Sequence, residues 1–274
     1  MKVVVFDDGG LMGVETALWV RDHGHEVGLV SAPTGLDPLT PEQVADALRD
    51  CAVVIDLAHQ PPPATGTFPT ATGTFPTGSG RAGVEAARLD AWLASTGRLL
   101  RAATDAGVRH HVCLSAVGAD RVRGEGAFRA LRAREAMIER SGTPYSILRS
   151  TQFFEAAEAI ADTATMDGVV QVPPLRVQPV SLTDVAMYLA HIAVSRPLGG
   201  VREIAGPEQF GLDRFVRIAL ATDAAYRPVR THAHSPFFGA RPHPADLLPG
   251  AGAFVAQTSY REWLAGRPAP EVSS

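Results

Sequence analysis

Lys2-Val3-Val4-Val5-Phe6-Asp7-Asp8-Gly9-Gly10-Leu11-Met12-Gly13 is the stretch whose reading decides the fold. Lys2 to Phe6 is an apolar, β-branched run of the kind that suits a buried strand, and Asp7 to Gly13 is a glycine-rich turn. Val14 to Asp22 then reads as a helix ended by His23-Gly24, and His25 to Val30 reads as a second strand. Strand, turn, helix and strand make a βαβ unit. The turn matters chemically because a helix N-terminus presents unpaired N–H groups and a positive dipole end to an anion, and glycine lets a phosphate approach the backbone closely.

In short-chain dehydrogenases the dinucleotide-binding turn runs Gly-x-x-Gly-x-x-Gly. Gly10 and Gly13 hold its second and third places here, Asp7 holds the first, and Asp8 adds another carboxylate. Two negative charges oppose a pyrophosphate unless they turn away from it. The competing reading is a plain strand-to-helix connection. An acid at the end of the second strand would bond the adenosine 2′-hydroxyl, and that place holds Ser31. The substitution points to NADP(H) over NAD(H), or to neither.

With 274 residues, 46% of them hydrophobic and 20% charged, the chain can bury a full core as one large domain or as a domain with a lobe. A net charge of −4 provides no basic field for nucleic acid. Cys51 and Cys113 both lie in apolar, strand-like runs and read as reduced core thiols rather than a disulfide or a metal pair. No apolar run of about eighteen residues exists and the chain opens directly on a strand, so no membrane segment or leader is expected and the location is expected to be cytoplasmic.

Further along, Pro41 to Leu48 is a short helix with Thr40 as N-cap, and Cys51 to Ala58 is a strand whose continuous apolar character fits a parallel sheet covered on both faces. His59 to Arg81 carries Pro61-Pro62-Pro63 and a tandem repeat, Thr65 to Thr70 and Thr72 to Thr77, and reads as a long loop. It is either a lid bringing Phe68 or Phe75 over a pocket, or a repeat expansion without catalytic consequence. Val84 to Ala106 is an amphipathic helix, Val108 to Ser115 a strand delivering Ser115 to its C-terminal end, Phe128 to Arg140 a helix and Gly142 to Ser150 a strand. His110 and His111 point to opposite faces and are assigned to packing. A helix is expected to begin at Thr151. Short extended pieces at Val169 to Pro174 and Val177 to Ser181, a helix from Thr183, a strand from Val201 to Pro207, a helix from Leu212 to Ala221 and a Pro/His-rich tail complete the chain. The expected fold is therefore α/β, a Rossmann-like doubly wound parallel sheet with a smaller C-terminal substrate lobe. Residues 1–150 form the core and 151–274 mainly the lobe, with 177–207 partly returning to the core.

With these segments laid out, the chain resembles the atypical short-chain dehydrogenase/reductases of the NmrA-like kind over nearly its whole length. The resemblance rests on Lys2 to Val30, on Val108 to Gly118, on Glu135 followed by Ser141 to Arg149, on Thr151-Gln152-Phe153, on Gln178-Pro179-Val180 ahead of Asp184-Val185-Ala186, and on Ala205-Gly206-Pro207. In this family's reductases a Tyr-x-x-x-Lys pair on the helix after the serine-bearing strand supplies the general acid and lowers its pKa. The resemblance puts Ala127 at the tyrosine place and Leu131 at the lysine place. The only lysine of the chain is Lys2, at the opposite end of the first strand from the turn. Arg132 or Arg134 could supply positive charge, but arginine is a poor proton relay.

Three functions follow as expectations. The first is a small-molecule enzyme, of the natural-product tailoring type, with chemistry that needs no Tyr/Lys pair: isomerisation, cyclisation, dehydration or carbon–carbon coupling of an aromatic or polyketide-like substrate. Its candidate catalytic groups are Ser115, His59, Gln152 and His234. The second is an NADPH-dependent reductase of a quinone or enone, in which Gly10, Leu11, Met12, Gly13, Ser31, Ala58 and Ser115 would contact the cofactor. The third is a dinucleotide-sensing regulator, as in the member that gives the family its name. NADP(H) is compatible with the fold but opposed by Asp7 and Asp8, and no metal is expected. The expected partner is a small molecule, without nucleic acid or membrane. A homo-oligomer would suit such a fold, although no patch marks an interface.

Overall fold

The computed structural model describes residues 1–31, 39–57, 81–123, 127–221 and 227–266, with the side chains of 81–89 excepted. Strand β1 (Lys2–Asp7) is central because it is apolar on both faces. Val3 and Val5 pack on one side and Val4 and Phe6 on the other, each at most 1% exposed. Full burial of a side chain of this size contributes about 1.5–3 kcal/mol, so a strand that alternates apolar residues onto two covered faces cannot sit at a wet sheet surface. Helix α1 (Leu11–Asp22) follows the turn, and β2 (Glu26–Ser31) returns parallel to β1 in a register running from Lys2 opposite Glu26 to Asp7 opposite Ser31. Helix α2 (Pro41–Ala47) starts at the expected Thr40, whose side chain accepts from the Gln43 N–H while Gln43 reaches back to the Thr40 N–H, a reciprocal cap.

The core continues with β3 (Cys51–Asp56), the long α3 (Arg81–Asp105), β4 (His110–Ala116), α4 (Ala127–Glu139) and β5 (Tyr145–Ser150). Then come α5 (Ala156–Ala164), β6 (Thr165–Met166), β7 (Val169–Val172), β8 (Arg176–Val177), α6 (Leu182–Val194) and β9 (Gly200–Ala205). The last elements are β10 (Phe210–Gly211), α7 (Leu212–Leu220), β11 (Val229–Thr231), β12 (Phe254–Val255) and α8 (Tyr260–Ala265). Seven strands form one parallel sheet in the order β2-β1-β3-β4-β5-β9-β12. Helices α1 and α6 cover one face; α2, α3 and α4 cover the other. This is the doubly wound Rossmann-like sheet. Its strand order reverses between β1 and β3, and ligands of open α/β sheets bind at the carboxyl ends of strands beside such a point.

The lobe is a separate hydrophobic cluster in which α5 and α7 pack on a small sheet of order β11-β7-β6, with β10 pairing β8 alongside. Phe154, Phe215, Tyr260 and Trp263 stack at its centre, Phe154 lying 5.0 Å from Tyr260 and 5.6 Å from Trp263. The chain returns to the core twice. Helix α6 and β9 rejoin it, and so does β12, which pairs β9 through Phe254 and Val255, a stretch that sequence alone left in the tail. Thr151 to Glu155 is not the expected helical start. Its backbone is drawn into strand-like pairing, with the Thr151 N–H donating to Ile204 O and the Phe154 N–H to Val180 O, and α5 begins only at Ala156.

The segments that carried the resemblance meet at this junction. Thr151 Oγ1 donates to Gln178 O at 2.6 Å, and Gln178 Nε2 donates to Gly206 O at 2.7 Å. Gly206 is required there, because a Cβ would lie 1.9 Å from Pro179 O, inside any tolerable contact with backbone. The clamp fixes how the lobe sits against the carboxyl ends of β4, β5 and β9.

Candidate functional site

At the carboxyl end of β1 the chain turns through Gly9, at φ 87°, into α1, which has Gly10 as an N-cap with no side chain of its own. Asp7 does not project into the open. Its side chain tucks under the first turn of α1, so close that a Cβ on Gly13 would lie 2.0 Å from Asp7 Oδ2. Ser31, the exposed last residue of β2, donates its hydroxyl to Asp7 Oδ1 at 2.7 Å. Asp7 is 1% exposed and its Oδ2 has no hydrogen-bond partner among the described residues. Asp8 does the opposite and folds over the helix end, where its Oδ1 accepts from the Gly10 N–H at 3.2 Å. Burial, and then the neighbouring Asp7, raise the Asp8 pKa above the usual carboxylate value. Of the other turn residues, Leu11 is exposed, Met12 half-buried against the core and Gly13 buried.

Ser115 lies at the end of β4, where the sequence places it, but it is 1% exposed and its hydroxyl donates to Glu135 Oε1 at 2.7 Å. Glu135, wholly buried on α4, also accepts two bonds from Arg149 of β5, from Nε at 2.8 Å and Nη2 at 2.7 Å. The third guanidinium nitrogen of Arg149 reaches Asp120 at 2.9 Å. A hydroxyl expected to meet a substrate carbonyl is thus bound within an ion-pair cluster tying α4 to β4 and β5. Ala127 and Leu131, which the resemblance puts at the tyrosine and lysine places, are 9% and 4% exposed and face the core. Arg134 closes a second cluster. It is 2% exposed, pairs with Asp56 Oδ1 at 2.6 Å, donates to Leu114 O at 3.1 Å and stacks over Trp92. Burial alone would raise the Asp56 pKa, but Arg134 and then His111 hold it well below the usual carboxylate range. Arg132 pairs with Glu135 and Glu139 at the rim. Neither arginine is left as a loose positive charge for the site.

The helical spacing of α4 carried an unused signal here. Ala127, Ala130 and Arg134, and likewise Phe128, Leu131, Glu135 and Ile138, fall on its buried stripe, so both charged residues were bound to be buried and paired.

Gln152, just past the end of β5, is 9% exposed, and its Oε1 is buried without a hydrogen-bond partner. It and Ser115 therefore share the carboxyl edge of neighbouring strands, whereas His234 is exposed on the lobe beyond β11, with its ring 5.9 Å from that of His232. Ala58, His59 and the repeat loop lie outside the described residues. His110 and His111 are buried as expected. His110 Nε2 shares a hydrogen with Ser146 Oγ at 2.8 Å, and burial depresses its pKa to about 4. Cys51 and Cys113 are buried and free, and burial pushes the Cys113 thiol up to about 12. Lys2 donates from Nζ to Arg49 O at the amino end of the sheet, remote from all of this. Among the described residues no group of three His, Cys, Asp or Glu side chains could hold a metal ion, and no helix is long and apolar enough to cross a membrane.

No curated protein matches the chain. Its fold is shared with MoeE5, solved in complex with UDP-glucose and NAD, at 19% identity and a TM-score of 0.67, covering 97% of this chain and 96% of that one. The NADPH-dependent quinone oxidoreductase QOR2 from Escherichia coli superposes with a TM-score of 0.57 at 15% identity, covering 84% of this chain and 78% of that one. The triphenylmethane reductase of Citrobacter sp. does so with a TM-score of 0.56 at 13% identity, covering 85% and 79%. The family model described as NAD(P)H-binding matches residues 19–195, beginning within α1 after the acidic turn and running through α6. The chain belongs to this NAD(P)H-binding family, in the atypical short-chain dehydrogenase/reductase class.

Proposed function

We propose that this protein is an NAD(P)H-dependent reductase of small acceptors that take up hydride without help from a protein acid, such as quinones and conjugated enones. One observation carries the reading: the places of the proton-donating pair are filled by buried Ala127 and Leu131, while the nearby Ser115 hydroxyl is held by Glu135. A simple ketone needs its oxygen protonated as hydride arrives. A quinone does not, because the charge delocalises into the ring and water supplies the proton afterwards.

The turn fits a dinucleotide. The Gly10 N–H already donates to an anionic group, the Asp8 carboxylate, which marks the seat a phosphate oxygen would take once Asp8 swings out. The backbone of Gly10, Leu11, Met12 and Gly13 would hold the pyrophosphate, and Ser31 would flank the adenosine ribose. When bound, NAD(P)H supplies the hydride. Gln152, at the end of β5, would orient the acceptor by donating from its amide nitrogen to the quinone or enone oxygen. The fold shared with a quinone oxidoreductase and a triphenylmethane reductase supports the choice of acceptor, since both names denote electrophiles that accept hydride directly. The two free buried thiols suit a reducing cytoplasm.

The test is steady-state oxidation of NADH and NADPH against quinones, enones, a cationic triarylmethane dye and unactivated ketones. Turnover confined to the first three classes is expected. Equal turnover of ketones, or no dinucleotide-dependent turnover of any acceptor, would overturn the reading. A second reading, cofactor-free isomerisation, cyclisation, dehydration or carbon–carbon coupling of an aromatic or polyketide-like metabolite, is favoured by Asp8 on the phosphate seat. It requires that neither dinucleotide bind.

A further inference from the structure

We propose that Asp7, held by Ser31, is a ribose-recognition carboxylate supplied from β1 instead of β2, and that it sets this protein for NAD(H) against NADP(H). The inference rests on the reductase reading and adds the identity of the cofactor to it.

In a dinucleotide fold the acid that tells a 2′-hydroxyl from a 2′-phosphate stands at the end of β2. Here that residue is Ser31, which read alone suggests that the acid is lost. The structure shows that Ser31 is hydrogen-bonded to a carboxylate arriving from the adjacent strand end, since Asp7 and Ser31 are partners in the β1–β2 register. The negative charge therefore stands beside the end of β2 after all. It is fixed there from two sides, by the Ser31 hydroxyl on Oδ1 and by the close approach of Gly13 to Oδ2. Oδ2 is packed against Gly13, so the side of the carboxylate that faces a ligand is Oδ1, reached through the exposed Ser31 hydroxyl. A ribose hydroxyl can donate to the Ser31 oxygen, whose own proton is given to Asp7. A 2′-phosphate at that place is repelled by the carboxylate behind it.

The arginines described at the two ends of the sheet are committed elsewhere. From Ser31 to Leu48 the sequence contains no Lys, Arg or His, while it does contain Asp37, Glu42 and Asp46. Arg49 pairs with Asp46 and belongs to the amino end of the sheet, where Lys2 bonds its carbonyl. On the carboxyl side, Arg134 is committed to Asp56 and Arg149 to Glu135 and Asp120, both sealed from solvent. The other charge at the turn, Asp8, is negative too.

Equilibrium titration of the full chain with NADH and with NADPH, followed by nicotinamide fluorescence, tests this. NADH should bind at least about tenfold more tightly, as one additional like-charge contact at a partly screened site implies. The ratio should shrink as salt rises, which needs no mutant. Asp7→Asn should raise NADPH affinity selectively and bring the ratio toward one, and Asp7→Gly should do the same, with circular dichroism verifying that each folds. Equal or tighter binding of NADPH by the unmodified protein, or a salt-independent ratio, would overturn the assignment of Asp7 while leaving the reductase reading intact. Binding of neither cofactor would overturn the reductase reading, and this inference with it.

Discussion

Glu135→Gln separates a structural from a catalytic role for Ser115, and its size can be worked from the geometry. Glu135 accepts from Ser115 Oγ at 2.7 Å and from Arg149 at 2.8 and 2.7 Å. Glutamine keeps the volume but removes the charge, and its amide group must turn two N–H donors toward either Ser115 or Arg149. Breaking one side of a buried ion pair costs about 3–5 kcal/mol. Arg149 keeps Asp120 at 2.9 Å, so the lower end, about 3 kcal/mol, is the expectation. Against a typical total of about 5–15 kcal/mol that is a large share, equivalent to roughly 6–12 °C in Tm for a chain of this size. Ser115→Ala removes one hydrogen bond to a charged group and should cost about 1.5–3 kcal/mol, while dinucleotide affinity and turnover stay within a few-fold. Urea unfolding followed by circular dichroism, run beside the turnover assay, reads both variants. If Ser115→Ala abolished turnover with its unfolding midpoint unchanged, and Glu135→Gln were as stable as the parent, the cluster would be catalytic and the reasoning refuted.

Gly13→Ala should destabilise the protein strongly, because its Cβ would lie 2.0 Å from Asp7 Oδ2, and should be tolerated once Asp7 is also glycine; a double-mutant thermal-denaturation cycle measures that coupling. Asp8→Asn should stabilise the fold at neutral pH, since the raised Asp8 pKa means that its ionised form is disfavoured in the native state; the gain should fade as pH falls through the raised value toward the usual 3.8, and dinucleotide affinity should rise. Burial lowers the His110 pKa from 6.5 to about 4, so the unfolded chain binds the extra proton between those values and stability is lost as the pH drops from 6.5 towards 4; His110→Gln should flatten that loss in urea midpoints. Installing Ala127→Tyr with Leu131→Lys should give little new NAD(P)H oxidation and a lower Tm, because both positions are buried and the lysine ammonium would enter an apolar cluster; robust ketone turnover by the double variant would show that redox capacity was two residues away.

What the sequence disclosed and what it hid follow one division. Local pattern revealed β1, because its burial on both faces is written in consecutive apolar residues, and it revealed α2, because Thr40 and Gln43 make a cap within four residues. The partner of Ser115 lies 20 residues away on α4, and that of Asp7 lies 24 residues away on β2, so neither contact has a local signature. Ser115 and Ser31 show the same gap: each, read alone, is one residue at a strand end without the neighbour that the fold brings beside it, Glu135 in one case and Asp7 in the other. The helical start expected at Thr151 failed for a related reason. Local propensity gave way to backbone pairing with Val180 and Ile204, which are 26 or more residues further along.

The segments most useful for recognising the family do mechanical work. Thr151, Gln178 and Gly206 clamp the lobe to the sheet, and Glu135 with Arg149 ties α4 to two strand ends. Neither device requires a tyrosine or a lysine, so the fold can persist with Ala127 and Leu131 at the places where the resemblance puts that pair. The acidic turn cannot be explained as neglect in the same way. A carboxylate with no counter-ion among the described residues, 1% exposed beneath a helix N-terminus, is costly, and a chain that had merely lost its cofactor would gain stability by replacing Asp7 with a neutral residue. Here Ser31 supports that carboxylate and Gly13 leaves room for it. Three residues from three elements fitting around one charge favour a turn adapted to a dinucleotide over one that has decayed.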